Sequence, residues 1–177
     1  ANFLTSTSLP DYKLPSKAPE FPCLALIVSG GHTQLVLFED HFKYQVLGKT
    51  LDDAVGEAFD KVAKIIGLPY PGGPSVEKAG DDGDPSKIKL PKAKTPGKYD
   101  FSYSGLKTAV LRAAQMEIGE DHTFPSHQLP SELSETQKAN IAASFKYKAI
   151  EVLVDKTLLA FNEFAPKSVV IAGGVAA

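Results

Sequence analysis

The chain of 177 residues lacks the features of disulfide-rich and membrane proteins. It contains one cysteine, one methionine and no tryptophan. A single cysteine, Cys23, excludes a framework of internal disulfides and is typical of proteins in a reducing compartment, so we expect a cytoplasmic protein. No apolar run approaches the length of a transmembrane helix and no signal-peptide pattern is present, so we expect no membrane partner.

An excess of charge of one sign is also absent. The 19 basic and 21 acidic residues give a net charge of −2, which argues against a surface that is basic throughout. The one basic stretch either contacts a phosphate backbone or is a solvated loop, and its lysines are Lys87, Lys89, Lys92, Lys94 and Lys98. The four histidines lack the i, i+4 spacing of a helical metal pair, so the residues indicate no metal site.

The order of predicted elements indicates a mixed α/β lobe with a helical insertion. The hydrophobic content of 43% is that of a globular chain with a core. Apolar patterns predict strands over 22–28, 33–39, 42–47 and 168–172 and helices over 54–66, 104–115 and 135–164, with a short helix from Pro74. Capping boxes at Thr50/Asp53 and Ser134/Gln137 are expected to open two of the helices.

Two glycine-rich turns follow apolar strands near the two ends of the chain. The first runs from Ser29 through Gly30 and Gly31, and the second contains Gly173 and Gly174. Glycine lets backbone N–H groups approach a phosphate closely. Each turn alone reads as an ordinary hairpin or loop, but together they predict the two sides of one nucleotide site.

The segment 52–61 carries clustered carboxylates. We expect Asp53, Glu57 and Asp60 to share one helix face, where they would surround a ribose, a metal or a paired lysine, or form a solvated face with Lys61. Gly56 inside this helix costs about 1 kcal/mol relative to alanine, which indicates close approach by a ligand or by backbone.

Two further segments are candidate contacts. The loop 71–74 is rigid and leaves room for a ribose or a base, with Glu77 one turn into the next helix, although it also reads as a plain connector. The segment 101–107 has exposed-type aromatics, hydroxyls and a lysine at a helix start. It predicts either a substrate-edge contact or simple capping by Ser104.

Five ordered motifs together resemble the TsaD family, formerly called glycoprotease or O-sialoglycoprotein endopeptidase. The resemblance spans nearly the whole chain, and its motifs lie at 29–35, 52–61, 70–74, 101–107 and 172–177. It implies an actin-like, Hsp70-like (ASKHA) α/β fold of two lobes. Residues 1–20 would then be a linker from the first lobe, and 21–177 part of the second lobe, with the helical insertion at about 74–165.

The resemblance also implies a reaction. A threonylcarbamoyl group would move from threonylcarbamoyl-AMP to the exocyclic amine of the tRNA adenosine beside the anticodon. The implied partners are tRNA, an adenine nucleotide, an actin-like paralogue and an ATPase, and the implied cofactor is one divalent metal, iron or zinc. By motif matching, Ile27, Val28, Ser29, Gly30, Gly31 and His32 would line the adenylate, Asp60 would hold ribose hydroxyls, Gly73 and Glu77 would frame the nucleoside, and Gly173 and Gly174 would face the nucleotide from the other side.

Part of the family's site is expected outside this chain. The two histidines of the family's H-x-x-x-H motif would fall upstream of Ala1, and its aspartate ligand beyond Ala177. We therefore expect no metal ligand among these residues and no activity from this segment alone, and no residue stands out as an obligatory base. Two alternatives stay open: an actin-fold carbamoyltransferase or sugar-kinase relative acting on a small molecule, and a non-catalytic scaffold subunit.

Overall fold

A computed structural model describes residues 19–176 of the chain. The predicted linker at 1–20 lies outside the described residues apart from its last two. The described part contains four strands, β1 (Cys23–Val28), β2 (Thr33–Asp40), β3 (Lys43–Lys49) and β4 (Ser168–Ala172), and five α-helices, α1 (Val55–Ile66), α2 (Gly72–Gly80), α3 (Ser104–Glu117), α4 (Leu129–Glu132) and α5 (Glu135–Phe164).

The four strands form one mixed sheet in the order β3-β2-β1-β4. β1 and β2 are an antiparallel hairpin, β3 extends it, and β4 returns to pair in parallel with β1. The apolar run of β1 is almost wholly buried because helices cover one face and neighbouring strands flank both sides. The sheet therefore brings the chain's first and last described strands side by side.

Local chemistry explains where the helices begin and end. Gly67, at φ 77°, ends α1 in the left-handed conformation that glycine adopts readily. The predicted capping box at α5 is confirmed, since Ser134 accepts from the Gln137 N–H and the Gln137 side chain accepts from the Ser134 N–H. α5 ends at Phe164, one residue before Ala165, which has φ 44°.

The predicted capping box at Thr50 and Asp53 is wrong. α1 begins at Val55, and its N-cap is Ala54, which has no capping side chain. The hydroxyl of Thr33 on β2 accepts from the Val55 N–H at 2.8 Å, while the Thr50 hydroxyl donates to the Asp53 carbonyl at 2.7 Å. A tertiary contact from the sheet thus replaces the local cap that the sequence suggested.

Two other boundaries differ from the sequence prediction. α2 begins at Gly72, two residues before Pro74, because the Asp60 carboxylate accepts from the Gly72 N–H at 2.7 Å. The loop predicted between α3 and α5 contains a 3-10 turn and the short α4, whose Leu129 is buried in the core. Within residues 19–176 no helix is long and apolar enough to cross a membrane.

A core of aromatic and aliphatic side chains lies between the sheet and the helices. Phe59 of α1 meets Phe145 of α5 edge to face, with ring centroids 4.9 Å apart. The largest fully buried side chains are Tyr103, Phe101 and Phe145. The helices between β3 and β4 are packed into the same core as the strands.

Candidate functional site

The two glycine turns are neighbours in space. β1 and β4 are parallel and adjacent, with Ile27 opposite Ala172, so the turns that follow them lie at the same end of the sheet. A Cβ on Gly173 would lie 2.0 Å from the Val28 carbonyl oxygen, and Gly173 has φ 108°, so only glycine fits there. The described structure thus brings together the two segments that the sequence analysis paired.

The first turn presents backbone donors to solvent. The Ser29 N–H donates to the His32 carbonyl at 2.8 Å, and the His32 N–H donates to the Ser29 hydroxyl at 3.0 Å, so the turn is internally held. The backbone N–H groups of Gly30 and Gly31 have no hydrogen-bond acceptor within residues 19–176. No atom lies within 4 Å of the place where a Cβ would stand on either glycine, and the start of α1 packs against the backbone of Gly30.

α1 starts directly against this turn. A Cβ on Gly56 would lie 2.8 Å from the Gly30 Cα and 2.8 Å from the Ser29 carbonyl oxygen. The close approach predicted from Gly56 is therefore confirmed as an approach by backbone. The N-terminus of α1 therefore lies beside the turn, and the positive end of its helix dipole favours negative charge there.

Asp60 joins α1 to α2. One carboxylate oxygen accepts from the Gly72 N–H at 2.7 Å, and a Cβ on Gly72 would lie 2.4 Å from the Asp60 Cα. The other carboxylate oxygen makes no hydrogen bond to any residue that the structure describes. Asp60 thus fixes the start of α2 through one oxygen and leaves the other without a hydrogen-bond partner in residues 19–176.

α2 carries the next two predicted residues. Open space surrounds Gly73, and Glu77 lies four residues later on the same helix face, exposed to solvent. Because Asp60 fixes the start of α2, it also fixes where Gly73 and Glu77 stand relative to α1.

An open cavity of about 580 Å³ lies along α1. Of the predicted site residues, Asp60 lines it, and the residues of both glycine turns, Gly73 and Glu77 do not. The lining residues are Glu57, Asp60, Lys61, Ala63, Lys64, Gly67, Leu68 and Tyr70.

The carboxylates of segment 52–61 do not all share a helix face as predicted. Asp53 precedes α1 and binds the Lys61 ammonium at 2.5 Å, while Glu57 binds the same ammonium at 2.8 Å. The hydrogen bonds that the Lys61 ammonium donates to Asp53 and Glu57 raise the pKa of Lys61. Of the arrangements left open, a pairing with Lys61 is the one observed for these two carboxylates.

Asp52 has a role that the sequence analysis missed. Its carboxylate accepts from the Tyr103 N–H at 2.8 Å and the Ser104 hydroxyl at 2.8 Å, and also from Ser102. Burial raises the pKa of Asp52, but these hydrogen bonds lower it, and the net pKa is below the ordinary value. No local sequence pattern predicts this contact, because Asp52 and Ser102 are 50 residues apart in the chain.

The interpretation of segment 101–107 is corrected in two respects. Phe101 and Tyr103, expected to be exposed, are fully buried in the core. Ser104 does not cap α3, since Tyr103 holds the N-cap position and the Ser104 hydroxyl donates to Asp52. The hydroxyls thus hold the fold together at the start of α3.

The basic stretch is partly neutralised by α5. Lys92 binds Glu151 at 3.0 Å and Asp155 at 2.5 Å, and Lys98 binds Glu163. All four histidines are exposed, and residues 19–176 contain no group of three His, Cys, Asp or Glu side chains that could hold a metal ion. The described residues therefore do not fit the metal that the resemblance implies.

Comparison with known proteins agrees with the resemblance. The model of the TsaD family, described as tRNA N6-adenosine threonylcarbamoyltransferase, matches residues 9–177. Relatives bearing that name are 50% identical in Symbiobacterium thermophilum, 46% in Thermomicrobium roseum and 47% in Desulfitobacterium hafniense, over 90%, 90% and 100% of this chain. The matches cover 43%, 46% and 46% of those relatives, so the chain spans less than half their length.

The matched region contains both glycine turns, the Asp60 helix and the start of α3. A family match over this much of the chain, with relatives at about half identity, decides the family. The chain belongs to the TsaD family.

Proposed function

We propose that the full-length protein containing this chain transfers a threonylcarbamoyl group from threonylcarbamoyl-AMP to N6 of the tRNA adenosine beside the anticodon. The relatives' shared name supports the reaction. The observation that carries the proposal on this chain is the adjacency of two glycine turns beside the start of α1. The mixed sheet and its helices would be part of one lobe of an actin-like fold, acting in the cytoplasm.

The proposed adenylate site lies at the carboxyl ends of β1 and β4. Gly30 and Gly31 donate to the phosphate with their free N–H groups, next to Ser29 and His32, while Ile27 and Val28 form the strand end behind them. Gly173 and Gly174 close the other side. The free oxygen of Asp60 accepts from a ribose hydroxyl, and Gly73 and Glu77 frame the nucleoside.

The chemistry follows from this arrangement. The N6 amine attacks the carbamoyl carbonyl carbon, a C–N bond forms, the C–O bond to the phosphate breaks, and AMP leaves as the amine loses a proton to solvent. Backbone N–H groups of the first turn stabilise the charge that develops on the departing phosphate. Holding the amine and the anhydride together supplies much of the rate.

The divalent metal is part of the proposal for the whole protein only. The described residues offer no cluster of ligands for it, so no step on this chain passes through it. The other proposed partners, an actin-like paralogue and an ATPase, belong to the full-length protein and its assembly.

The test is mass spectrometry of nucleosides from tRNA incubated with the full-length protein, its partner proteins and threonylcarbamoyl-AMP. Threonylcarbamoyladenosine is the expected product. Carbamoylation of a small-molecule acceptor with none on tRNA would favour the small-molecule enzyme. No product of either kind from a folded, complete assembly would favour a scaffold role.

A further inference from the structure

The cavity along α1 has two walls of different character. One wall is a face of α1 that carries Glu57, Asp60, Lys61 and Lys64 at spacings of three and four residues. The other wall is the turn after α1, with Gly67, Leu68 and Tyr70. Its volume of about 580 Å³ is within the range of small-ligand sites.

Tyr70 stands at the rim of this cavity with 84% of its surface exposed. Its hydroxyl makes no hydrogen bond to residues 19–176. The residue lies between Pro69 and Pro71, which restrict the backbone on both sides and reduce the entropy lost when a partner binds it. An accessible flat ring on a stiff loop is a stacking platform for a base.

The charges around the cavity are not equivalent. Lys61 is held by Asp53 and Glu57, whereas Lys64 forms no ion pair within the described part of the chain. Lys64 is exposed in the last turn of α1, facing the same cavity. It is therefore the cation that remains for an anionic group of a ligand.

The proposed adenylate contacts leave this cavity unused. Neither glycine turn, nor Gly73, nor Glu77 lines it, and the two regions meet only at Asp60. The acceptor adenosine must leave its stack before its N6 can reach a carbonyl, and extruded RNA bases stack on aromatic side chains. Its neighbouring phosphate requires a cation, and Glu57 offers a carboxylate oxygen for a 2′-hydroxyl.

We propose that this cavity binds an extruded nucleotide of the RNA substrate, with its base stacked on Tyr70 and its phosphate paired with Lys64. This inference rests on the proposed function, because it needs an RNA acceptor. Tyr70 is a positioning residue for the acceptor and takes no part in bond making.

The experiment measures binding of a fluorescent anticodon stem–loop RNA to the full-length protein in its assembly, by anisotropy at two salt concentrations. Tyr70→Ala is expected to weaken RNA binding about tenfold, and Tyr70→Phe to restore it, because stacking needs the ring and not the hydroxyl. Lys64→Gln is expected to weaken binding and to reduce its salt dependence by about one phosphate contact.

Three controls accompany these variants. Tyr44→Ala removes an exposed tyrosine on β3, outside the cavity, and is expected to leave RNA affinity unchanged. The affinity for a non-reactive adenylate analogue is expected to be unchanged in Tyr70→Ala. An unchanged thermal midpoint is expected as well, since Tyr70 buries little surface.

Several results would overturn the inference. Unchanged RNA affinity in Tyr70→Ala would do so, as would a loss of analogue affinity with RNA binding intact, which would assign the cavity to the adenylate. In either case wild-type product formation on tRNA would leave the proposed function standing. Wild-type protein that neither binds nor modifies RNA would overturn both.

Discussion

At the scale of single residues, glycines and carboxylates shape the candidate site. Gly56, Gly72 and Gly173 each lie where a Cβ would overlap backbone atoms of a neighbouring segment, whereas a Cβ on Gly30 or Gly31 would meet no atom within 4 Å. The first group lets elements pack closely, and the second group has room for a side chain. The Asp52 carboxylate accepts hydrogen bonds from the start of α3 and one oxygen of Asp53 binds Lys61, whereas the second oxygens of Asp53 and Asp60 make no hydrogen bond to residues 19–176.

Asp60→Asn in the full-length protein should weaken adenylate-analogue binding and preserve the fold. The amide oxygen still accepts from the Gly72 N–H, but the charge offered to a ribose hydroxyl is lost, at about 1.5–3 kcal/mol. Calorimetry measures the affinity, and circular dichroism checks the fold. Asp60→Ala removes both contacts and should also destabilise the protein. Equal affinities in the Asp60→Asn variant and the wild type would mean that Asp60 only joins α1 to α2.

Gly56→Ala should destabilise the full-length protein despite the higher helix propensity of alanine. The new Cβ would lie 2.8 Å from the Gly30 Cα, and relieving such overlap costs about 1–3 kcal/mol. Gly105→Ala is the matched control, because it lies in the first turn of α3 with open space around it and should be neutral or stabilising. Denaturant unfolding measures both, and a stabilised Gly56→Ala protein would contradict the close packing described here.

At the scale of elements, α1 is the organising helix. Its start lies against the first glycine turn, its Asp60 fixes the start of α2, and the loop before it is tied to the start of α3 through Asp52. Three motifs that are distant in sequence are thereby brought around one helix.

Asp52→Asn should reduce the stability of the full-length protein at neutral pH and make it less sensitive to acid. The folded pKa of Asp52 is lowered, so its stabilisation is present above the unfolded pKa of about 3.9 and is lost as pH falls through the folded pKa. The difference in unfolding free energy between wild type and variant should therefore shrink as the pH falls from about 5 through the folded pKa. Asp82→Asn, at an exposed carboxylate, is the control. A difference in unfolding free energy that stays constant over this range would contradict a stabilising role for the Asp52 charge.

The sequence predicts the elements better than the contacts between them. Strands β1, β2 and β4, the glycine that ends α1 and the capping box of α5 follow from local patterns, because apolar periodicity and caps are local properties. Other contacts depend on segments that meet only after folding. They are the hydrogen bond from the Val55 N–H to the Thr33 hydroxyl, the one from the Gly72 N–H to Asp60, and the hydrogen bonds between Asp52 and the start of α3. For the same reason Phe101 and Tyr103 look like exposed residues of a motif and are core residues.

At the scale of the whole molecule, this chain would supply one side of the proposed site. The chain covers less than half of its relatives' length, and residues 19–176 lack a metal-binding cluster. The proposed adenylate surface and the proposed RNA cavity meet at Asp60, which would place the two substrates on adjoining parts of α1. Closure of that site belongs to the full-length protein.

The metal content of the full-length protein should not depend on the carboxylates of segment 52–61. Asp53 and Glu57 each bind the Lys61 ammonium through one oxygen, and no group of three His, Cys, Asp or Glu side chains in residues 19–176 could hold a metal ion around them. Elemental analysis of the Asp53→Asn and Glu57→Gln variants should find the same metal per protein as in the wild type. A stoichiometric loss of metal in either variant would show that the segment ligates it.

The central claim is that the two adjacent glycine turns bind the adenylate, and glycine-selective amide NMR of the full-length protein tests it most directly. On titration with a non-reactive threonylcarbamoyl-adenylate analogue, the amide signals of Gly30, Gly31, Gly173 and Gly174 should shift together with one dissociation constant. Gly83 and Gly119, in loops outside the site, should not move and serve as internal controls. Saturating analogue that leaves both turns unshifted would contradict the account.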